Sequence, residues 1–297
     1  MTFAEKLKAA RKKAGMTQEI LAEKLGVSRQ AITKWETERG IPDIDNMMTI
    51  STLFGISVDE FLSEEKTAIE RKGYLYESTT EYDIDGRKRF DMKFGGAARL
   101  FVTGTDDEKI KVRLASDEIE TLTQDFKVKI DDVKGRIDVD VKRQKRVSEA
   151  TAKEFVLIDV FLPNKYLSHV ELGVNCDELY ISNLQCEDIE FDGRANSLTV
   201  DSVIGTVEVN CNLDMMITCT RMTGAIEINQ ISATSQITIP NDFVFQSVLK
   251  GIGNTISYEE AGEAVEDFST EDADNVIELN GMRSELVIRR TVVSSDL

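Results

Sequence analysis

Histidine is almost missing from this chain: His169 is the sole copy in 297 residues. Imidazole is the side chain that most often moves protons near neutral pH and binds transition metals. A single copy therefore disfavours most metal-centre and histidine-dependent catalytic chemistry. Cysteine is scarce as well. Cys176, Cys186, Cys211 and Cys219 are too few for a disulfide framework, and no pair has C-x-x-C spacing. Long apolar runs are absent, none approaching the ~20 residues that a membrane helix needs. The opening stretch TFAEKLKAARKKAG is amphipathic and carries Glu5, unlike a secretory signal. There is no G-x-S-x-G and no P-loop. The expectation is a soluble, cytoplasmic chain that is not an enzyme and has no cofactor, metal or membrane partner.

Acid outweighs base, with 54 Asp and Glu against 36 Lys and Arg and a net charge of -18. The imbalance is local. Residues 1–40 hold nine basic and five acidic side chains, whereas residues 65–297 hold 27 basic and 44 acidic. The first region can present a basic face, because solvent-exposed charges are screened beyond ~8–10 Å at physiological salt.

Hydrophobic periodicity also divides the chain. Up to about residue 63 the period is helical, with Phe3, Leu7 and Ala10 on one face. Thr17 stands where an N-cap belongs, before QEILAEKL, and Gly26 ends that run. Ser28 caps RQAITKWE. Gly40, Pro42 and Asp43 restart the chain into IDNMMTISTLF, and SVDEFL closes the region. That makes five short helices.

Beyond Gly73 the period is two. Apolar pairs recur at Val170/Leu172, Leu179/Ile181, Ile189/Phe191, Leu198/Val200, Val207/Val209, Ile217/Cys219, Ile226/Ile228 and Ile237/Ile239. They are spaced 9–11 residues apart, with turn residues and no helix between them. Asp192-Gly193 is the one strong hairpin turn among the eight, so a parallel β-solenoid with two short strands per coil of about 19 residues is expected, with a β-sandwich as the alternative. Flanking strands are read at RLFVTG, EKIKVRL, DFKVKID, RIDVDV, FVLIDVFLP, TISYE, NVIELN and ELVIRR. Residues 259–275 read as an acidic loop. Cys176, Cys211 and Cys219 fall on the inward parity, and His169 reads as a surface residue beside a turn.

The run TQEILAEKLGVSRQAITKWE (17–36) has helix-turn-helix mechanics. Ala22 is small where two helices cross, Gly26 suits the turn, and Leu21, Leu25, Val27 and Ile32 can fill a shared core. It closely resembles the phage repressor/Cro (XRE) helix-turn-helix family over about residues 3–63. The resemblance implies a five-helix lambda-repressor-like domain at 1–64 that binds double-stranded DNA. Its second motif helix would lie in the major groove. Arg29 suits guanine and Gln30 suits adenine. Lys34 would reach a guanine or a phosphate, with Ser28 and Thr33 on the same face. Gln18, beside the free N–H groups of its helix, and Arg39 would meet phosphates. Arg11 and Glu36 match a pair that forms an internal salt bridge in this family, and Trp35 reads as packing. Such domains read palindromes as dimers, so a homodimer is implied.

A charged linker is expected over 65–90. The strand ladder over roughly 95–290 resembles the DUF4097 or toastrack β-solenoid family, also known as adhesin domains, which supplies no catalytic residues. A β domain at 91–297 is thus expected to dimerise the protein or receive a protein or small-molecule effector. The leading expectation is a bacterial transcriptional repressor on a palindromic operator. The alternative is an autoregulating antitoxin or immunity-type protein whose acidic β domain sequesters a partner. A solenoid enzyme is disfavoured, because the outward residues Glu171, Tyr180, Thr199, Glu208, Thr218, Glu227 and Thr238 lack a clustered Asp, Lys or Arg set.

Overall fold

The computed structural model describes residues 3–13, 16–36, 40, 42, 44–54 and 73–291. It divides into two units, Met1–Gly73 and Tyr74–Leu297.

The first unit contains α1 (Phe3–Lys13), α2 (Gln18–Leu25), α3 (Arg29–Trp35) and α4 (Ile44–Phe54). The helix ends lie where the capping residues stand. Thr17 accepts a hydrogen bond from Ile20 N at 3.2 Å, and Ser28 accepts one from Ala31 N at 3.2 Å. Gly26 closes α2 at φ 66°, a left-handed conformation. A Cβ there would meet no neighbouring atom, so conformation rather than space favours glycine. Leu7, Leu21, Ala22, Leu25, Ile32, Trp35 and Ile50 form the core, with Val27 packed at its margin. Trp35 is buried, in keeping with a packing role. The fifth helix expected at SVDEFL, and Arg39, lie outside the described residues.

The second unit is all-β apart from short helical pieces, including α5 (Leu122–Asp125) and α6 (Glu149–Phe155). Its middle is built by β7 (Leu167–Ser182), β8 (Gln185–Arg194), β9 (Ser197–Asn210), β10 (Met216–Ile231) and β11 (Thr234–Ile239). All their mutual pairings are parallel. Leu179 lies beside Leu198, and Leu198 beside Ile217, an offset of 19 residues. Val170, Ile189, Val207 and Ile226 form a second line. Each pass of the chain therefore stacks on the one before. All eight apolar pairs read from the sequence are buried. A meander of antiparallel hairpins, the sandwich alternative, does not describe this pairing. The backbones approach closely at the bends. A Cβ on Gly224 (φ 130°) would collide with Gly205 O, and one on Gly205 (φ 135°) with Cys186 O.

Both ends of the stack depart from chain order. β2 (Lys88–Thr105) pairs with β7 on one side and with β5 (Arg136–Arg143) and β6 (Leu157–Pro163) on the other, so the earlier strand lies inside the later ones. Antiparallel strands extend that end: β4 (Phe126–Val133) on β5, β3 (Lys109–Ser116) on β6, and β1 (Tyr76–Asp83) on β3. At the opposite end, β15 (Val276–Met282) and β16 (Glu285–Arg290) slot between β10–β11 and a further pass, β12 (Gln246–Leu249) with β13 (Thr255–Glu260).

Two sequence expectations need correction here. The described part of the 65–90 connector holds β1 and the start of β2. β1 was illegible because none of its residues is fully buried and its half-buried face is carried by Tyr76, Ser78 and Thr80 rather than by an apolar alternation. The 259–275 loop contains the end of β13 and a short strand, β14 (Glu263–Val265), paired back on β13.

One outward column of the stack is acidic. Asp138, Asp91, Glu171, Glu190, Glu208, Glu227 and Glu278 follow one another in cross-strand register. Burial, reinforced by Glu208 and a second neighbouring carboxylate in each case, raises the Glu190 and Glu227 carboxyls above their ordinary value. Like charges directly opposite each other on a sheet are destabilising. Asparagines beside the column relieve part of this: Asn210 Nδ2 donates to Glu190 at 2.9 Å and Asn229 Nδ2 to Glu208 at 2.7 Å. Glu208→Gln keeps the acceptor and removes the charge between two glutamates. The substitution is expected to stabilise the unit by about 0.5–1 kcal/mol at neutral pH, read as a higher urea midpoint. Raised carboxyls favour the protonated fold, so the wild-type penalty fades as pH falls toward the ordinary value of 4.5, and the gain should shrink with it. A gain independent of pH would refute the like-charge cause.

Candidate nucleic-acid interface

The α2–turn–α3 pair is braced from beneath by one buried carboxylate. Glu36, just after α3, accepts Arg11 Nε at 2.5 Å and Arg11 Nη2 at 3.0 Å in a bidentate pair. Arg11 Nη1 also donates to Met16 O at 2.7 Å, so a single guanidinium ties α1, the turn before α2 and the end of α3 together. Burial alone would raise the Glu36 carboxyl. Hydrogen bonds from Arg11 and Gln18 outweigh it and hold the group below the usual carboxylate range. Its hydrogen bond to Glu36 raises the Arg11 guanidinium in turn. The internal salt bridge implied by the family resemblance is present.

Gln18 is drawn into the same network. Its Nε2 donates to Glu36 Oε2 at 2.8 Å, and its Oε1 accepts from Thr33 Oγ1 at 3.3 Å. Thr33 Oγ1 also lies 3.0 Å from Arg29 O. The side chains of Gln18 and Thr33 thus link α2 to α3. One bond to Glu36 uses one of the two amide hydrogens of Gln18.

Four sequence-derived candidates stand on the exposed side of α3: Arg29, Gln30, Thr33 and Lys34. Ser28 is spent on the helix cap. Arg29 carries a partner that the sequence reading missed, Glu19 in the first turn of α2, at 2.8 Å in an exposed ion pair. An acidic residue in the first turn was visible as a favourable helix-dipole feature. Its pairing with Arg29 depends on the angle at which two helices cross, which spacing does not report.

Residues 7–61 match the helix-turn-helix family (HTH_3). The "HTH-type transcriptional regulator ImmR" of Bacillus subtilis is 31% identical over 91 residues, which cover 31% of this chain and 72% of that protein. The chain belongs to the helix-turn-helix family. The "HTH-type transcriptional activator BcrR" of Enterococcus faecalis is 47% identical over 66 residues, 22% of this chain but 32% of the activator's length. Among solved structures, a candidate cell adhesion protein from Clostridium sporogenes aligns with 73% of this chain and 99% of its own at 13% identity and a TM-score of 0.41.

Elsewhere the helix-turn-helix chain offers little chemistry. Among the described residues no group of three or more His, Cys, Asp or Glu is placed to hold a metal ion, and no helix is long and apolar enough to cross a membrane. His169, expected at the surface, is largely buried in β7, with Nδ1 3.0 Å from Asp188 Oδ2. It lies on the outward parity of β7, in register with Arg89 and Asp188 on the two parallel neighbouring strands. All four cysteines are buried and free, Cys186 included. Burial pushes the Cys176 and Cys219 thiols up to about 12. Thiolate is the reactive form, so the native protein is expected to resist an aromatic disulfide reagent at pH 8 and to release four thiols once unfolded. Rapid native labelling would point instead to a redox-sensing role for these thiols.

Proposed function

We propose that the protein is a sequence-specific DNA-binding transcriptional regulator, a repressor that grips a palindromic operator as a homodimer. The observation that carries this reading is the exposed face of α3, held rigidly on α2 by the Arg11–Glu36–Gln18–Thr33 network. A recognition helix must present its side chains at a fixed height and angle to read base edges, and this network supplies that rigidity. Arg29 would take guanine O6 and N7, and Gln30 would take adenine N6 and N7. Lys34 would reach a guanine or a phosphate, and Arg39 a phosphate. The Gln18 side chain keeps a second amide hydrogen beyond its bond to Glu36, so its phosphate contact would come through that hydrogen together with its backbone N–H at the start of α2.

The relatives point the same way, from the ImmR regulator to the "Immunity repressor protein" of Bacillus phage phi105, 34% identical over 87 residues and 60% of its length. A cytoplasmic site of action and a non-enzymatic role complete the proposal. The β unit is proposed to be a solenoid that dimerises the protein or receives a signal.

Genome-wide mapping of binding sites tests this. The expected motif is an inverted repeat with half-sites about 10–10.5 base pairs apart, or a multiple of that. A non-repeating motif would overturn the dimer, and no enrichment would overturn the DNA assignment. The in-register acidic column favours one other reading, an autoregulating antitoxin-type protein that holds a basic partner. A stoichiometric basic protein recovered with the full chain would support it.

A further inference from the structure

The stack is closed over only part of its last pass. β12 and β13 are the outermost strands there, and one side of that end has an aromatic plug. Phe268 packs edge-on against Tyr258 at 5.0 Å and Phe245 at 6.0 Å between ring centres, with the Arg290 guanidinium 4.1 Å from its own ring centre. β14 covers the Tyr258–Glu260 stretch of β13. The plug segment also reaches the start of β12, where Thr270 N donates to Phe245 O at 2.7 Å and Ser247 Oγ donates to Ser269 Oγ at 3.1 Å, but it stops short of Leu249. Among the described residues β12 pairs with β15 alone, so its outer edge has no strand partner.

Side-chain exposure follows the same division. Leu249 stacks directly over Leu279 and shares its inward parity. Leu279 is 0% exposed, whereas Leu249 is 52% exposed. A core position has been left facing water. Beside it Ile252 is 74% exposed, and it bridges to Met282, which is in register with Ile231. Met282 and Ile231 are themselves 45% and 53% exposed, so an apolar line crosses three passes. Stacked architectures require polar terminal caps to remain soluble alone, and a bare strand edge beside apolar side chains is a template for pairing.

We propose that this open part of the stack end is the homodimer interface, where a second copy of the chain docks end to end through the Leu249 end of the β12 edge and the Leu249–Ile252 patch. Charge selects this occupant. Residues 65–297 carry 27 basic and 44 acidic side chains, so two copies repel over most of the surface. The segment PNDFVFQSVLKGIGNTISY (240–258) is an exception, with Asp242 and Lys250 as its charged residues. Lys250 is already paired with Glu278 at 2.8 Å. Identical neutral edges can meet about a two-fold axis, since antiparallel pairing of one strand with its own copy is self-complementary. The inference rests in part on the palindromic reading above, which requires two copies.

Sedimentation of the full chain without DNA tests it. Wild type is expected at twice the 33.3 kDa chain mass. Ile252→Glu, alone and with Leu249→Lys, is expected to raise the dimer dissociation constant at least about thirty-fold, since losing a central apolar contact costs 2 kcal/mol or more. Ile204→Glu, at a similarly exposed apolar residue elsewhere, should leave it unchanged. Ile252 is mostly in solvent, so its replacement should preserve the circular dichroism spectrum of the folded chain. A monomeric wild type, or a dimer that survives both variants, overturns the interface. Failure of the DNA reading would look different: the dimer would form and respond to Ile252→Glu, yet no operator would be bound.

Discussion

Glu36→Ala is expected to unfold the helical unit while leaving the β unit intact. Glu36 is buried and accepts two bonds from Arg11 and one from Gln18. Removing it strands a buried guanidinium. Breaking a buried ion pair from one side costs about 3–5 kcal/mol. Helical units of this size rarely hold more than about 3–5 kcal/mol in total, so the loss is comparable to the whole stability. Circular dichroism should show the helical signal disappear with the strand signal retained. Glu36→Gln keeps an acceptor and should be milder. Acid should mimic the substitution. A carboxyl held below its ordinary value contributes stability that is present above 4.5 and lost as pH falls through the lower folded-state value. Wild type should therefore lose helix on acidification over a range in which Glu36→Gln changes less. An Ala variant that kept the wild-type helical melt would show that the pair is not holding α1 to α3.

Capping and periodicity were legible because they are local. Thr17, Gly26 and Ser28 bound α2 and α3 where the sequence places them. The alternation from Val170 to Ile239 fixes which side chains face inward, and the 19-residue recurrence matches the stacking offset. Partner choice was not legible. Nothing in RLFVTG says that β2 will lie between β7 and the later β5–β6, and nothing in NVIELN says that β15 will slip inside β12. Every buried strand here carries the same inward alternation, so the pattern sets faces and leaves neighbours open. Short or polar strands such as β12, β14 and β1 are settled by the edges they meet. At the candidate interface, α3 and its exposed side chains could be read. That Gln18 turns inward, and that Glu19 rather than solvent meets Arg29, follows from the helix crossing.

Arg29→Ala with Gln30→Ala is expected to abolish operator recognition without harming the fold. Both side chains are exposed. The Arg29–Glu19 pair is more than half exposed on each side, and such pairs are worth about 0–1 kcal/mol. Stability should therefore barely move. Each bidentate base contact carries about 1–3 kcal/mol of discrimination, so losing both should weaken operator binding about thirty-fold to ten-thousand-fold. Binding to random DNA should change much less. Lys34→Ala separates the two roles proposed for that residue: a phosphate contact would lower the salt slope by about one with sequence preference kept, and a guanine contact would relax one base position. Glu19 supplies the sharpest control. Guanine must displace it from Arg29, so Glu19→Gln should tighten operator binding severalfold in the wild-type background and have little effect once Arg29 is alanine. Equal effects of Glu19→Gln in both backgrounds would mean that Arg29 does not meet the base, and unchanged operator affinity in the double alanine variant would remove α3 from the interface altogether.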